Sequence, residues 1–325
     1  MHTENARQDG GSLHARADHR TPLPAKAIAP GSLAAWKMAV RPHTLWIAAV
    51  PVAVGAALVF AFQHALHWPT LALALPCAVM VQIIANLQND VGYTDRGIET
   101  GGRIGFPRAT QHGWLSARQM HIGLRVCVGI TVVLGLPLVI WSGWPILALG
   151  VLSIAAAIFY MAGARPIAFT PWGEVTVFVF FGLVAVNGTV YLLTRNLPWR
   201  AWPVACAVGL LAAAVLLVNN YRDIEHDKNT HRRTLPIALG ISGTRFCYAA
   251  MIFFPFPLFA ALAAFSPWFL LPMLALPFAW RTWRLFNVTP SGLAFNAVML
   301  QTVRLEALCG GLLIVAGVLT GMSGV

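Results

Sequence analysis

The sequence predicts an all-α fold: a polytopic membrane bundle of about nine transmembrane helices that surround a central cavity. Composition is the first reason, because 58% of the 325 residues are hydrophobic, only 10% are charged, and the mean hydropathy is +0.69. Soluble domains carry roughly 25% charged residues. The second reason is that the apolar runs are about 20 residues long, which is the length of a membrane-spanning helix, and lack the alternation of barrel strands.

The chain divides into two predicted regions. Residues 1–32 contain basic residues, glycine and proline without an apolar core, so we predict a disordered basic N-terminal tail. Residues 33–325 form the predicted transmembrane domain. Its spans are predicted at 44–63, 69–89, 118–140, 144–163, 173–194, 201–221, 243–264, 267–286 and 300–321.

Basic residues predict the orientation of the bundle. Loops of one side carry most of the arginines, whereas Arg195 and Arg200 are the clear basic residues of the other side. The positive-inside rule therefore places the N-terminus and the loops after the second, fourth, sixth and eighth spans in the cytoplasm. The net charge of +11 follows from this bias and from attraction to anionic lipid, so the lipid bilayer is an expected partner and nucleic acid is not.

Acidic residues are concentrated in two segments. Outside the tail the chain has eight acids, and six of them fall in two loops that the topology puts on the same side. The first motif, residues 86–97, begins with Asn86 and Asp90. The second motif, residues 219–228, contains Asn219, Asp223 and Asp227 at spacings that align them along one face of a helix.

Such a pair of segments indicates a site for a divalent cation and a diphosphate. Neighbouring carboxylates repel each other unless a cation lies between them, and hard oxygen ligands suit Mg²⁺ with a phosphate as co-ligand. Arginines follow both motifs and are the usual donors to phosphate oxygens. A diphosphate on an allylic lipid would become a leaving group when neutralised, its tail would lie in the bundle, and the resulting cation would need an electron-rich acceptor.

Six segments in the same order resemble the UbiA superfamily of membrane prenyltransferases, and most closely its 1,4-dihydroxy-2-naphthoate polyprenyltransferases of menaquinone synthesis. The resemblance covers about Trp36 to Gly321. The segments that carry it are Arg41-Pro42-His43-Thr44-Leu45, Asn86-Leu87-Gln88-Asn89-Asp90, Arg103-Ile104-Gly105-Phe106-Pro107-Arg108 with Gln111-His112-Gly113, Tyr160 with Arg165-Pro166, Gly173-Glu174 with 177–182, and Asn219-Asn220-Tyr221-Arg222-Asp223 with Arg232-Arg233-Thr234-Leu235.

The resemblance implies a nine-helix, Mg²⁺-dependent enzyme with two bound ions, in a bacterial inner membrane and without an obligate protein partner. Its substrates would be a polyprenyl diphosphate and an aromatic acid. It implies that Mg²⁺ and the diphosphate are held by Asn86, Asp90, Asn219, Asp223 and Asp227, the three aspartates acting as catalytic residues. It implies that the donors to the diphosphate or to the acceptor are Arg103, Arg108, Arg222, Lys228 and Arg232.

The first motif departs from the family pattern at one position. Relatives of the naphthoate type carry an acid three residues after the one that matches Asp90, and this chain has Tyr93 there. Asp95 or Glu99 would then supply the missing metal ligand, and we assign Asp95 to that role.

Three further residues have both a binding and a structural interpretation. Glu174 would orient the acceptor, pair with Arg165 as part of the substrate site, or serve only as an acid at a helix start. The ring of Tyr160, like that of Phe180, would stabilise a cation or only pack within the bundle.

Other functions remain open at this stage. A different aromatic acceptor, such as 4-hydroxybenzoate, homogentisate or a chlorophyllide-like ring, would use the same diphosphate site. A membrane alcohol phosphotransferase also uses acidic clusters, but its Asp-Gly…Ala-Arg signature is absent from the sequence. A transporter predicts acids at mid-helix depth and inverted repeats, whereas these acids lie at helix ends.

Overall fold

The computed structural model describes residues 28–98, residue 105 and residues 107–324, and within these ranges it contains helices and no strand. The predicted all-α membrane bundle is confirmed. The predicted tail lies outside the described residues except for residues 28–32. The α-helices are α1 (Leu33–Val40), α2 (Pro42–Gln63), α3 (Trp68–Thr94), α4 (Ala117–Ser142), α5 (Trp144–Phe159), α6 (Gly173–Val177), α7 (Ala185–Thr194), α8 (Ala201–Arg222), α9 (Ile224–Asn229), α10 (Leu235–Phe253), α11 (Pro255–Leu262), α12 (Leu276–Val288) and α13 (Phe295–Ser323).

Seven of the described helical stretches are long and apolar enough to cross a membrane. They are α2, α3, α4, α8 and α13, the run of α6 and α7 joined by a π-helical segment at Phe178–Val184, and the run of α10 and α11. The predicted span at 144–163 is the shorter α5, and the one at 267–286 is a 3₁₀ helix, Pro267–Ala275, followed by α12.

Proline and glycine explain where these helices break. Gly240 has a left-handed φ of 67° inside α10, and Pro255 begins α11 directly after α10 ends. Pro267 and Pro272 lack backbone donors, and the segment around them is a 3₁₀ helix instead of an α-helix. Two of the predicted spans, 243–264 and 267–286, are therefore not single continuous α-helices.

The most buried span, α8, packs against α2, α10, α13 and the π-helical segment. Its contact with that segment depends on two glycines. A Cβ atom added to Gly182 would lie 2.6 Å from the Cα of Gly209 and 2.5 Å from the carbonyl oxygen of Ala205. Small residues permit such close backbone approach between membrane helices, and here they hold the α8 segment that leads into the second motif.

The bundle encloses a cavity of about 430 Å³, which we call the apolar chamber. Helices α2, α3, α4, α5 and α7 and the π-helical segment form its walls, and its lining runs from Ala74 and Ile146 at one end to Asn89, Tyr160 and Leu216 at the other. Most of its lining is aliphatic or aromatic, with Gln82, Asn86 and Asn89 among its polar side chains, so it suits a hydrocarbon chain.

Candidate active site

A small second cavity of about 30 Å³, the polar cavity, adjoins the apolar chamber. Asn89, Tyr160 and Leu216 line both cavities, so the two meet at these residues. The full lining of the polar cavity is Asn89, Tyr93, Arg108, Tyr160, Ala168, Leu216, Asn219, Asn220, Asp223, His226, Asp227 and Arg232. A lipid-compatible chamber thus ends at a concentrated set of charged and amide side chains.

The second motif supplies one wall of the polar cavity, but not as one continuous helix. Helix α8 ends at Arg222, Asp223 has a non-helical ψ of 12°, and α9 begins at Ile224. The predicted helical stripe is therefore bent at Asp223. The bend nevertheless keeps all three predicted oxygen donors, Asn219, Asp223 and Asp227, at the cavity.

Arg222 is buried and holds this wall together. Its Nε and Nη2 atoms donate to the two carboxylate oxygens of Asp223 at 3.0 and 2.8 Å, and Nη2 also donates to Oδ1 of Asn219 at 2.8 Å. Its Nη1 atom donates to Oδ1 of Asn296 on α13 at 3.0 Å. Arg222 therefore positions the acidic wall from behind, and it is not among the residues that line the cavity.

Arg232 positions the carboxylate of Asp227, as Arg222 positions that of Asp223. Its Nη1 donates to Oδ1 of Asp227 at 2.6 Å, while Nε and Nη2 donate to the carbonyl oxygen of Ala168. Burial alone lowers the pKa of Arg232, but Tyr93 and Asp227 more than reverse this effect and the net pKa is raised. The guanidinium therefore stays charged at the cavity.

The first motif is placed differently from its prediction. Asp90 is fully buried, and its carboxylate accepts hydrogen bonds from the backbone nitrogens of Ala109 (2.8 Å) and Thr110 (3.1 Å). The amide nitrogen of Asn86 donates to the carbonyl oxygen of Val40 and to the hydroxyl of Thr44. Asp90 therefore holds a loop and Asn86 holds the α1–α2 junction, and neither lines the polar cavity.

Asn89 and Tyr93 occupy the cavity wall instead. Helix α3 continues to Thr94, so residues four apart share a face, and Asn89 and Tyr93 form that pair at the cavity. Asn89 is not among the site residues predicted from the sequence, because the predicted span ends at residue 89. A predicted helix that continued for one more turn would have placed Asn89 and Tyr93 on the same face and so indicated Asn89 as a site residue.

Arg108 lies over Tyr93. The guanidinium carbon of Arg108 is 3.1 Å from the centroid of the Tyr93 ring, and that of Arg232 is 5.9 Å from the same centroid. Both Tyr93 and Arg108 are buried, at 3% and 2% exposure. Two cations thus face the ring at the position where relatives are expected to have an acid.

Several predicted residues do not reach the polar cavity. Asp95 is exposed and pairs with His121, so it does not replace the acid expected at Tyr93. Lys228 is exposed and pairs with Glu225, and Arg165 is exposed. Arg103 and Glu99 lie outside the described residues.

Glu174 is buried beside the cavity. One of its carboxylate oxygens accepts a hydrogen bond of 2.9 Å from the side-chain amide of Asn220, which itself lines the cavity. The structure thus pairs Glu174 with Asn220 and not with Arg165. Phe180 lines the apolar chamber, whereas Tyr160 stands at its junction with the polar cavity.

The donor set fits magnesium. Asp223 and Asp227 offer carboxylates and Asn219 an amide oxygen on one wall, and the guanidinium of Arg222 already bridges two of these groups as a cation would. Within the described residues no three His, Cys, Asp or Glu side chains are grouped closely enough to hold a metal ion. Mg²⁺ is usually bound by one or two carboxylates together with substrate phosphates, so the arrangement suits a substrate-dependent ion.

Comparison with known proteins gives consistent matches. Residues 48–300 match the UbiA prenyltransferase family. The chain is 35% identical to 1,4-dihydroxy-2-naphthoate octaprenyltransferase of Mycobacterium leprae, over 78% of this chain and 85% of that protein. It is also 35% identical to the enzyme of the same name from Escherichia coli, over 87% of this chain and 94% of that protein.

Solved structures share the fold. A UbiA homologue from Aeropyrum pernix superposes with a TM-score of 0.64 at 17% identity, covering 84% of this chain and 97% of the other. A UbiA homologue from Archaeoglobus fulgidus bound to DMAPP and Mg²⁺ gives a TM-score of 0.63 at 15% identity, covering 88% and 99%. At these identities the likeness concerns the arrangement of the helices.

Proposed function

Because the chain belongs to the UbiA prenyltransferase family, we propose that it transfers a polyprenyl group from an allylic polyprenyl diphosphate to 1,4-dihydroxy-2-naphthoate, releasing CO₂ and diphosphate and giving demethylmenaquinol. One observation carries the proposal: a long apolar chamber meets a cavity of acids, amides and arginines at Asn89, Tyr160 and Leu216. An amphiphilic substrate with a charged head and a hydrocarbon tail fits this junction.

The diphosphate binds in the polar cavity. Asn219, Asp223 and Asp227 would hold Mg²⁺, which when bound neutralises the diphosphate and makes it a better leaving group. Arg108 and Arg232 line the same cavity and donate to phosphate oxygens. The resemblance to relatives predicts two ions, and the second motif supplies the protein ligands of one of them.

The prenyl chain occupies the apolar chamber. From Asn89 to Ala74, helix α3 provides a wall about 22 Å long at 1.5 Å per residue. That length accommodates several isoprene units. The mostly apolar lining also limits the access of water to the allylic carbon.

Chemistry takes place where the two cavities meet. The bond between the allylic carbon and the diphosphate oxygen breaks, and its electrons leave with the diphosphate. The face of the Tyr160 ring stabilises the positive charge that develops on the prenyl group. The electron-rich ring carbon of the acceptor forms the new bond, and the carboxyl group on that carbon leaves as CO₂, returning its bonding electrons to the ring.

The acceptor lies beside the buried pair of Glu174 and Asn220. A carboxylate and an amide side by side provide an acceptor and a donor for the ring hydroxyls. Their place next to the polar cavity orients the acceptor with its ring toward the allylic carbon.

The enzyme is a multi-pass membrane protein. The excess of arginines in the loops after the second, fourth, sixth and eighth spans supports a bacterial inner-membrane location with the site on the cytoplasmic side. A polar substrate head and a water-soluble acceptor would then reach the site from the cytoplasm, while the tail stays within the bilayer.

The test is an acceptor panel. Membranes that contain the protein are incubated with Mg²⁺, an all-trans polyprenyl diphosphate and, in turn, 1,4-dihydroxy-2-naphthoate, 4-hydroxybenzoate and homogentisate, while prenylated product and CO₂ are measured. Prenylation of the naphthoate with one CO₂ per product, abolished by a chelator and restored by Mg²⁺, is the expected result. Prenylation of 4-hydroxybenzoate alone would overturn the choice of acceptor.

A further inference from the structure

We propose that helices α10 and α12 form a binding site for the headgroup of an anionic phospholipid, with Arg245, Arg281 and Arg284 as its hydrogen-bond donors. We call this surface the arginine patch. None of the three residues lines the apolar chamber or the polar cavity, so the inference does not depend on the proposed function. General attraction to a membrane would involve every basic loop, whereas the arginine patch is one defined site.

Two of the arginines share the outward side of α12. Trp280, Arg281, Arg284 and Val288 are exposed, and their spacings of one, three and four residues follow one side of a helix. The buried residues of α12 are Ala279, Thr282 and Phe286, which lie on the opposite side. Arg281 and Arg284 therefore point away from the protein core.

The third arginine reaches the same place from α10. Arg245 is exposed, and its Nη2 atom donates to the backbone carbonyl oxygen of Asn287 at 3.2 Å. Residues three apart on a helix are surface neighbours, so Asn287 lies beside Arg284. This hydrogen bond thus brings Arg245 next to the outward side of α12, and the three arginines surround the groove between the two helices.

The charge of the arginine patch has little compensation from the protein. From Lys228 to the end of the chain Glu306 is the only acid, and it is buried at 2% exposure. Within the described residues Arg281 and Arg284 form no hydrogen bond or ion pair, and Arg245 forms only its bond to Asn287. Their N–H donors match the oxygen pairs of a phosphate, which is the anion that guanidinium groups bind best together with carboxylate.

The arginine patch lies at the end of the bundle that holds the polar cavity. The hydrogen bond from Arg222 to Asn296 puts the start of α13 at the end of α8, and α12 ends at Val288, a few residues before α13 begins. Arg284 and Arg281 precede Val288 by about 6 and 10 Å along the helix axis. Arginine side chains extend along apolar surface toward the headgroups, so the guanidinium groups reach the phosphate level.

Apolar side chains beside the arginines favour a lipid over a soluble anion. Phe246 is 78% exposed and Trp280 is 54% exposed, and each is adjacent in sequence to an arginine of the patch. Tryptophan is enriched where headgroups meet hydrocarbon, and phenylalanine suits contact with acyl chains. An anionic phospholipid supplies both the phosphate and the hydrocarbon that this surface would contact.

Lipid titration tests the site on the full-length protein. Protein in a neutral detergent is titrated with dioleoyl phosphatidylglycerol, dioleoyl phosphatidylcholine or inorganic phosphate, while Tm is followed and native mass spectrometry counts the retained lipids. Phosphatidylglycerol should raise Tm at the lowest concentration and should be retained in preference to phosphatidylcholine. An equal response to the two lipids, or to inorganic phosphate, would overturn the inference.

Removal of the arginines tests the location. The triple variant Arg245→Gln, Arg281→Gln, Arg284→Gln should raise the phosphatidylglycerol concentration for half of the Tm increase by about 10-fold or more. The double variant Arg281→Gln, Arg284→Gln keeps the bond from Arg245 to Asn287 and should change this concentration in the same direction. Unchanged titrations of both variants would overturn the site.

A charge-matched control separates this site from general attraction. Lys37, Arg118 and Arg125 are exposed basic residues of α1 and α4, and their triple replacement by Gln removes the same charge elsewhere. This variant should titrate like the wild type, and a loss equal to that of the arginine-patch variant would contradict a defined site. Light scattering adds a second check, because a dimer that the arginine-patch variant converts to a monomer would assign the surface to a second copy of the chain instead of a lipid.

Discussion

Arg222 and Asp223, neighbours in sequence, form a buried ion pair in which both carboxylate oxygens of Asp223 receive a hydrogen bond, at 3.0 and 2.8 Å. The pair stands at the bend between α8 and α9, and its arginine also reaches Asn219 and Asn296. The bend is thus tied at once to the preceding turn of α8 and to the start of α13. A carboxylate held in this way has a fixed orientation, and Asp223 lines the polar cavity.

Replacement of Arg222 by Met should strongly destabilise the protein. Removing one partner of a buried ion pair leaves an uncompensated charge and costs about 3–5 kcal/mol. The matched control is Lys228→Met, because Lys228 and its partner Glu225 are exposed and such pairs contribute about 1 kcal/mol or less. Thermal unfolding in detergent should show a large fall in Tm for Arg222→Met only. Equal Tm values for the two variants would contradict the stabilising role of Arg222.

Replacement of Asp223 by Asn should lower kcat/KM for prenyl transfer by roughly 100-fold or more, because the neutral amide loses the charge that holds the metal and diphosphate. Asp223→Ala should abolish transfer while the protein still inserts into membranes. Glu225→Gln, an exposed acid two residues away, is the control and should keep wild-type activity. If membranes that contain the Asp223→Ala protein keep full activity, Asp223 does not hold the metal ion and the diphosphate.

Replacement of Asp90 by Asn tests whether Asp90 holds the loop at Ala109 and Thr110 or binds the metal ion. Asn has one acceptor oxygen for the donors that Asp90 now satisfies, and each buried donor left unpaired costs about 1–3 kcal/mol. We expect lower stability and lower activity, but an unchanged Mg²⁺ concentration for half-maximal rate. A large rise in that concentration would instead make Asp90 a ligand; exposed Asp95→Asn serves as the control.

Replacement of Ala74 by Phe should shorten the prenyl chain that the enzyme accepts. Ala74 is buried at the end of the chamber remote from Asn89, so a larger side chain there obstructs long tails and spares short ones. The ratio of kcat/KM for a long polyprenyl diphosphate to that for geranyl diphosphate should fall about 10-fold or more. Leu75→Phe alters the adjacent exposed position, and an equal fall there would argue against the chamber as the tail site.

Membrane class, helical architecture and the prediction of an acid-rich diphosphate site follow from the sequence alone. Twenty-residue apolar runs have few alternatives in a bilayer, since backbone groups in lipid must pair within the segment. The spans predicted at 243–264 and 267–286 are less regular than expected, because Pro255 starts a new helix in the first, and Pro267 and Pro272 lie in a 3₁₀ segment of the second. Asn219, Asp223 and Asp227, which were predicted to act together, line one cavity although the helix that carries them is bent.

Only the tertiary structure decided which polar residues face one another. Spacing within the first motif favoured Asn86 and Asp90. The face of α3 that lines the polar cavity carries Asn89 and Tyr93 instead, because the helix runs on to Thr94 and the loop after it returns to Asp90. Sequence patterns report which residues share a helix face; they do not report which neighbour that face meets. The stacking of Arg108 on Tyr93 and the hold of Arg222 on Asp223 depend on that choice of neighbours, and so do the charges that the substrate would encounter.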